Sequence, residues 1–534
     1  MDYDVIIIGA GLSGLAAGIR LAHFGRRVCI LEKHGRIGGL NSYYSLEGRI
    51  MDVGLHAMTN YVPGPVKSSP LTRILRQLRL SYDDFQLCPQ QISRISFPAK
   101  ELQFTNDFHF MVQEIAEKFP NQIDGFLELT DSLHGYDDLP TGGESVSTRQ
   151  ILKSFLSDPL LIEMLLCPVM FYGNSQENDM DFALFSILFR SIFKEGFARP
   201  QQGMQQILQL LVEKYRESGG ELKTKCEVQK LHILKDQVAE VQLADGQMAG
   251  DQMSNDQMPD DLIPGGQMPD GQMADDQMSD DLMPGCQKMR AKTIISSIGL
   301  PETRALCSHW DTPLDTMDAA KRLPTSSAQE PRPGELSFVE SILITDVLPA
   351  QSLGFENTIL FYNDTDHFDY RKPDGPVNFS SGVVCCPNNY QAREAVSGKA
   401  VSGESISREP ISGKPVSEGI IRLTHIANFD LWNGLDKDTY RIRKKHHLQE
   451  SVQKAERFTP GLSQHILARD MFTPETIRRF TGRMNGAVYG SAHKITDGRT
   501  PIKNLFICGT DQGWVGIIGA LLSGITIANK YVLY

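Results

Sequence analysis

Three glycines near the start of the chain have the spacing of a phosphate-binding loop. Gly9, Gly11 and Gly14 form G-x-G-x-x-G directly after the β-branched run at residues 5–8. Such glycines permit a tight turn and let backbone approach a dinucleotide pyrophosphate, which the N–H groups and positive dipole of a helix N-terminus then bind. Glu32 lies 18 residues past Gly14, where a carboxylate can accept hydrogen bonds from a ribose 2′-hydroxyl. The spacing therefore predicts a dinucleotide site that favours an unphosphorylated adenosine ribose.

The elements around this loop have to position it. Residues 5–8 predict a strand buried on both faces, because parallel strands in a covered sheet lack polar alternation. Apolar residues at helical spacing then predict a helix that stops at Gly25, and a second strand that ends at Glu32. Strand, glycine loop, helix, strand and terminal acid together predict a βαβ unit.

Length and composition predict a two-domain protein. A chain of 534 residues exceeds the size at which single cores stop growing. No stretch approaches the roughly 18 to 20 uncharged apolar residues of a membrane span, and the βαβ unit leaves no room for a signal peptide before it. The nine cysteines, an odd number without C-x-x-C spacing, favour neither disulfides nor a zinc site. We expect a cytoplasmic protein without a metal.

Most of the net charge of −12 comes from one short segment. Nine aspartates and no lysine or arginine lie in residues 246–285, which leaves −3 for the rest of the chain. No concentrated basic patch appears, so a nucleic-acid partner is not expected.

Arg36 and the pair Gly38-Gly39 follow Glu32, and with them this segment resembles the large flavoprotein group that contains amine oxidases, phytoene desaturases and carotenoid isomerases. Arg36 and the pair Gly38-Gly39 match the extension that follows the nucleotide fingerprint in that group. Leu40 departs from it, because many members have arginine there. The resemblance implies FAD, with the cofactor bound by these residues.

A second matching segment begins at Asp52. Asp52-Val53-Gly54 matches the Asp-x-Gly of segments that approach the flavin in this group, and His56 follows. His56 would either hydrogen-bond the flavin or a substrate, or act as a structural partner of backbone groups.

Two later segments extend the resemblance. Residues 199–232 are similar to the helix and returning strand whose backbone holds the adenine end in group members, with Val228 at the matching position. Near the C-terminus, Asp511 falls where members place an acid that hydrogen-bonds the ribityl or diphosphate part. Residues 516–519 open a helix whose N-terminus can face the flavin.

The middle of the chain is less regular. Residues 70–200 are predicted to be mostly helical. Within them, residues 158–173 and 181–193 are apolar around much of the helix circumference. They predict buried helices of a cap domain, walls of a hydrophobic substrate tunnel, or a monotopic membrane contact.

Two repeats interrupt this pattern. Residues 246–285 consist of G/D-Q-M-x-D pentapeptides, and residues 395–419 repeat A/P-V/I-S-G-K/E. Composition predicts disorder in both. The first is flanked by residues 238–246 and 290–299, which are predicted to form the two strands of a hairpin.

The fold class expected is α/β: a Rossmann-like FAD-binding domain with a parallel βαβ sheet, plus a discontinuous α+β substrate domain with apolar helices. The FAD-binding domain is predicted from residues 1–75, 196–300 and 480–534, and the substrate domain from residues 76–195 and 301–479.

The function expected is FAD-dependent oxidation or isomerisation of a long hydrophobic polyisoprenoid, of the carotenoid-precursor or squalene type, by a desaturase or cis–trans isomerase. The alternatives are an amine oxidase and a non-catalytic flavin-binding interaction protein. A peripheral contact with the inner face of the membrane is a further expectation. The residues identify no catalytic base and no oligomeric state.

Overall fold

The computed structural model describes residues 2–133, 145–244, 288–308, 310, 332–391 and 418–534. The strands in this part are β1 (Tyr3–Ile8), β2 (Val28–Leu31), β3 (Tyr43–Leu46), β4 (Arg49–Asp52), β5 (Leu87–Pro89), β6 (Ser93–Ser96), β7 (Glu101–Phe104), β8 (Ala198–Pro200), β9 (Glu221–Lys223), β10 (Val228–Leu234), β11 (Gln237–Leu243), β12 (Lys288–Met289), β13 (Ala291–Ser296), β14 (Ser337–Thr345), β15 (Ile359–Asn363), β16 (Ser381–Cys385), β17 (Gly419–Ala427), β18 (Ile466–Phe472) and β19 (Leu505–Ile507).

The helices are α1 (Leu12–His23), α2 (Pro70–Leu78), α3 (Phe108–Lys118), α4 (Ile123–Ser132), α5 (Thr148–Phe155), α6 (Pro159–Gly173), α7 (Phe182–Phe189), α8 (Met204–Glu217), α9 (Leu300–Leu306), α10 (Pro349–Ser352), α11 (Phe429–Trp432), α12 (Lys437–Phe458), α13 (Pro474–Thr481) and α14 (Gly516–Ala528). The predicted α/β class is confirmed. The first repeat, and all of the second except Glu418 and Gly419, lie outside the described residues. The domain boundaries stay a prediction.

A five-stranded parallel sheet carries the N-terminal glycine loop. Its order is β19-β13-β1-β2-β9, and every neighbouring pair is parallel. Val5 and Ile7 pack against helices α1, α8 and α14, whereas Ile6 and Ile8 pack against the three-stranded sheet β10-β11-β12. Both faces of β1 are therefore covered, as the run of β-branched residues predicted.

The hairpin predicted around the first repeat has a different second strand. β11 pairs antiparallel with the short strand β12, with Val241 opposite Met289. The next strand, β13, instead pairs parallel with β1, with Thr293 opposite Val5. The prediction that residues 290–299 form the hairpin partner is wrong, because their buried Ile294 and Ile295 complete the covered parallel sheet.

A seven-stranded sheet forms the second body of the fold. Its order is β18-β14-β17-β16-β15-β6-β7, and only β15 and β6 pair in parallel among its described neighbours. One face packs against α6 and α7, and the other against α12. Strands β6 and β7 lie in the stretch predicted to be mostly helical; that prediction is wrong there, because pairing with the distant β15 overrides a weak local pattern.

The two apolar segments of the middle region are helices inside the protein. Most residues of α6 and α7 are buried against the seven-stranded sheet. A different stretch, Gly516–Leu533, is long and apolar enough to cross a membrane by length and composition, so the prediction that no stretch approaches a membrane span is wrong there. It packs so closely on α1 that a Cβ at Gly524 would overlap the Ser13 carbonyl oxygen. Within this stretch 44% is buried inside the protein.

Deletion of residues 246–285 should leave the fold intact. The strands on either side, β11 and β12, already pair, and shortening a loop lowers its closure entropy cost. We expect the free energy of unfolding to be unchanged or raised by at most about 2 kcal/mol, as measured by urea unfolding, with unchanged FAD content. Val241→Asp, which places a carboxylate at a fully buried position of β11, is the destabilising control. Insoluble or FAD-free deletion protein would contradict this expectation.

Candidate functional site

The predicted glycine loop lies at the carboxyl edge of the parallel sheet, between β1 and α1. Gly9 has φ +94°, a left-handed value that favours glycine. A Cβ at Gly14 would overlap the carbonyl oxygen of Gly9, so α1 can approach the strand only with glycine there. A Cβ at Gly11 would meet no atom within 4 Å. Backbone at Gly11 therefore faces open space at the N-terminus of α1.

Glu32 lies beside this loop at the end of β2. Its side chain is buried, its Oε2 accepts from the Ala10 N–H at 2.8 Å, and its Oε1 accepts from the His34 N–H at 2.9 Å. Each carboxylate oxygen can accept more than one hydrogen bond, so a ribose hydroxyl could still be bound. The backbone contact fixes the acid against the glycine loop.

The paired glycines lie against the same loop. The Gly38 N–H donates to the Ala10 carbonyl at 3.0 Å, and Gly38 forms a parallel bridge with Gly11. Gly38 and Gly39 both have positive φ, +105° and +57°. Arg36 is exposed, and its Nη1 donates to the Tyr43 carbonyl at 3.4 Å. The structure thus brings the glycines to the loop, with the Arg36 side chain at the surface.

The segment that leads into β10, the strand predicted to hold the adenine end, also contacts Glu32. Val228 is the first residue of β10 and is buried. Two residues earlier, the Cys226 N–H donates to the Glu32 carbonyl at 2.8 Å. The backbone before Val228 therefore lies next to the acid predicted to bind ribose.

Asp511 lies at the same sheet edge, after β19. Its side chain is fully buried: Oδ1 accepts from the Ser491 N–H at 2.8 Å, and Oδ2 from the Leu300 N–H at 2.6 Å and Arg483 Nη1 at 3.2 Å. Burial alone would raise the pKa of this carboxyl, but Arg483 and Lys494 lower it below its usual value. Asp511 is therefore an ionised carboxylate held by protein groups.

His56 lies between the glycine-loop region and the seven-stranded sheet. Its Nε2 lies 2.9 Å from Glu340 Oε1 on β14 and 3.0 Å from Thr424 Oγ1 on β17. The backbone carbonyl of His56 accepts from the Tyr390 hydroxyl at 2.9 Å. The imidazole thus pairs with side chains rather than backbone groups. Contact with a flavin or substrate stays a prediction.

Two arginines, the buried Arg422 and the partly buried Arg199, fix the segment that contains His56. Arg422 donates from Nε to Glu340 Oε1 at 2.7 Å and from Nη2 to the Val53 carbonyl at 2.8 Å. Arg199 pairs with Asp52 and donates to the Leu55 carbonyl at 2.7 Å. Residues 52–56 are therefore bound on both sides by charged hydrogen bonds, which are stronger than neutral ones.

These four charged residues were not identified as site residues from sequence. Asp52 and Arg199 lie in segments that resembled the flavoprotein group, so a signal for them existed. Glu340 and Arg422 lie on strands that nothing in the sequence pairs with residue 56. Burial by itself would raise the pKa of the Glu340 carboxyl, but His56 and Arg422 lower it to about 2.

An apolar, largely aromatic wall lies next to this segment. Ala57 packs against the cluster formed by α6, α7 and the seven-stranded sheet, as do Val488 and Tyr489. Tyr172 stacks on Phe197 with ring centroids 4.9 Å apart. The Tyr172 hydroxyl is buried and has no hydrogen-bond partner within the described chain. The wall is therefore a packed apolar cluster with one buried hydroxyl that no described residue pairs with.

One group of side chains could hold a metal ion in the described ranges, although none was predicted. Ligand atoms of His446, His447 and Glu450 on α12 lie within 4.8 Å of one another. A 2.6 Å hydrogen bond between His447 Nδ1 and Glu450 Oε2 is sufficient to explain their closeness.

Comparisons with known proteins agree with the fold and the cofactor. A family model described as flavin containing amine oxidoreductase matches residues 12–253. Chloroplastic prolycopene isomerase of Arabidopsis thaliana is 21% identical over 99% of this chain and 82% of its own length. Carotenoid 3,4-desaturase of Haloarcula japonica is 26% identical over 44% of this chain and 51% of its own length. The solved structure of an oxidoreductase from Methanosarcina mazei has a TM-score of 0.58 and 17% identity, and the match covers 98% of this chain and 100% of the other.

The glycine loop fits FAD. The open space in front of Gly11 and the helix N-terminus suit a diphosphate, and Glu32 suits the adenosine ribose. The same edge of the parallel sheet also includes the paired glycines Gly38 and Gly39 and the backbone before Val228.

Gly11→Ala should weaken FAD binding without unfolding the protein. The added Cβ meets no protein atom, and Gly11 has an ordinary φ of −71°, so the free energy of unfolding should change by less than about 1 kcal/mol. The methyl group would occupy the space for the diphosphate, so we expect FAD affinity to fall roughly tenfold or more. Fluorescence titration of the apoprotein measures this. Gly375→Ala, also in open space, is the control; equal FAD affinity in both variants would contradict the assignment.

Glu340→Gln should destabilise the protein by about 3 to 5 kcal/mol at neutral pH, because Arg422 would remain buried without its anion. The folded pKa of Glu340 is about 2, below its unfolded value, so the carboxylate stabilises the fold above the unfolded pKa. This contribution is lost as pH falls toward 2. The stability difference between wild type and Glu340→Gln should therefore shrink in urea unfolding between about pH 5 and pH 3. Exposed Glu128→Gln is the control; a pH-independent difference would refute the pairing.

Proposed function

Since this chain belongs to the amine oxidase-like superfamily of FAD-dependent oxidoreductases, we propose that it desaturates or isomerises a long hydrophobic polyisoprenoid of the carotenoid-precursor or squalene type. The observation that carries the proposal is the apolar wall beside residues 52–57. The wall joins α6, α7 and the seven-stranded sheet into one buried cluster that contacts Ala57 and includes Val515, one residue before α14.

Apolar burial would supply most of the binding energy for such a substrate. Each Å² of apolar surface removed from water contributes about 25 cal/mol, so a long hydrocarbon chain can bind without charged partners. The rings of Phe171, Tyr172, Phe197 and Phe338 offer rigid apolar surface in this cluster. The Tyr172 hydroxyl, which no described residue pairs with, offers one polar contact for orientation.

The chain's residues would mainly bind and orient the substrate. Bound FAD supplies hydride or electron transfer. The largely buried pairs Asp52–Arg199 and Glu340–Arg422 hold the backbone of residues 52–56 rigid, so the wall and this segment keep a fixed spacing. Correct placement accounts for a large part of catalysis in such reactions, which makes an acid–base pair at the wall unnecessary.

The relatives support this substrate class. The isomerase and the desaturase named above act on carotenoids by their names, and the isomerase match extends over nearly the whole chain. The family model also covers amine oxidoreductases, which makes amine oxidation the competing function.

Purified, FAD-loaded protein should convert at least one of phytoene, cis-lycopene and hydroxysqualene. Under oxidising conditions, a desaturase would yield a product that has lost two hydrogens per new double bond. Under reducing conditions, an isomerase would yield a product of unchanged mass and shifted absorbance. Chromatography with mass detection separates these results, and Gly11→Ala protein without FAD is the inactive control. No turnover of the three lipids, together with peroxide release from polyamines or aromatic amines, would establish the amine oxidase instead.

A further inference from the structure

A diphosphate bound at the glycine loop brings negative charge that the loop itself only partly offsets. The N-terminus of α1 supplies about half an elementary charge. The first turn of α1 contains no basic residue, and Leu40, two residues past Gly38, is apolar. Arg36 is exposed, with its Nη1 directed to the Tyr43 carbonyl. A cation from another part of the fold would complete the site.

Arg483 is positioned to be that cation. It follows α13 and is 8% exposed. Its Nη2 donates to Thr510 Oγ1 at 2.6 Å, and its Nη1 to Asp511 Oδ2 at 3.2 Å. The residue before Thr510 is Gly509, at which a Cβ would lie 3.1 Å from Ser13 Oγ on the first turn of α1. Arg483 thus binds the loop that packs against the N-terminus of α1.

The guanidinium also borders the other side of the glycine loop. A Cβ at Gly299 would overlap Arg483 Nη1. Two residues before Gly299, the Ser297 hydroxyl donates to the carbonyls of Ile8 and Gly9, each at 3.0 Å. Both segments that flank the glycine loop, residues 297–299 and 509–511, therefore meet at Arg483.

Two carboxylates and a second cation lie around Arg483. Asp511 is the one nearby carboxylate whose pKa is lowered, by Arg483 and Lys494 against the effect of burial. Burial raises the pKa of Glu302, whose Oε2 lies 3.8 Å from Arg483 Nη1 and has no hydrogen-bond partner within the described residues. Lys494 adds a second cation, although burial lowers its pKa to about 8. Arg483 and Lys494 thus lie near two buried carboxylates, of which Asp511 makes the shorter contact with the guanidinium, 3.2 Å against 3.8 Å for Glu302.

We propose that Arg483 is the cation that pairs with the FAD diphosphate in this chain, and that Asp511 is a positioning residue that acts through Arg483. Both Asp511 oxygens already accept hydrogen bonds from protein groups, and its side chain has no exposed surface. Its carboxylate joins the backbone of Leu300 and Ser491 to the guanidinium, which fixes the direction of Arg483. This inference rests on the FAD cofactor and is independent of the substrate proposed above.

Titration of apoprotein with FAD tests the proposal. Because Arg483→Gln alone would leave Asp511 buried without its partner, the informative variant is Arg483→Gln/Asp511→Asn, which removes both charges. We expect its FAD affinity to fall roughly 10- to 100-fold, the range for loss of one charge-assisted contact. The dependence of FAD affinity on salt should also weaken, because one ion pair is missing. Arg483→Lys should retain part of the affinity, and exposed Arg73→Gln is the control.

A rescue variant separates charge from structure. Leu40→Arg, added to Arg483→Gln/Asp511→Asn, places a new cation two residues from Gly38 and should restore at least tenfold of the lost affinity. Unchanged FAD affinity in the double variant, or no recovery with Leu40→Arg, would overturn the proposal and leave Arg483 as a structural partner of Asp511. Because no substrate is used, these outcomes do not depend on turnover of any lipid.

Discussion

The carbonyl oxygen of Gly9 occupies the place where any side chain on residue 14 would lie, and the site depends on this contact. It lets α1 begin directly at the end of β1, so the free N–H groups of the helix point out of the carboxyl edge of the sheet. All described strands of the five-stranded sheet are parallel, so their carboxyl ends meet at this edge. Glu32 after β2, residues 297–299 after β13 and residues 509–511 after β19 gather around one helix N-terminus for this reason.

Buried charge connects this edge to the second body of the fold. Asp52–Arg199 and Glu340–Arg422 are pairs whose members come from distant parts of the chain. Taking ions out of water costs several kcal/mol each, so such pairs persist only when their hydrogen bonds are well satisfied. Here the arginines donate to carbonyls of residues 53 and 55 as well as to carboxylates. The charges thus fix a backbone segment that contains Gly54 and that, after Asp52, belongs to neither a helix nor a strand.

The polar segment at residues 52–56 and the apolar wall suit different ligands. A rigid polar edge suits a cofactor that must be held in one orientation, whereas a continuous aromatic and aliphatic surface suits a ligand recognised by shape and apolar area. Both meet at residues 56 and 57, where His56 pairs with Glu340 and Ala57 packs against the wall. An enzyme of the proposed kind needs this junction, because the reacting carbon of an apolar substrate must lie beside the cofactor.

The sequence by itself determined the βαβ unit, the glycine loop and the position of Glu32 at the end of the second strand. A turn, a helix start and a buried strand each depend on residues that are neighbours in the chain. The resemblance of the segments that contain Gly38-Gly39 and Asp511 to known flavoproteins also indicated FAD. Tertiary structure alone decided that β12 pairs with β11, that β6 and β7 join a sheet with β15, and that Glu340 and Arg422 meet residue 56. It also showed Asp511 buried against Arg483. These contacts join residues tens to hundreds of positions apart, and long-range pairing leaves no periodic signal in the residues that take part.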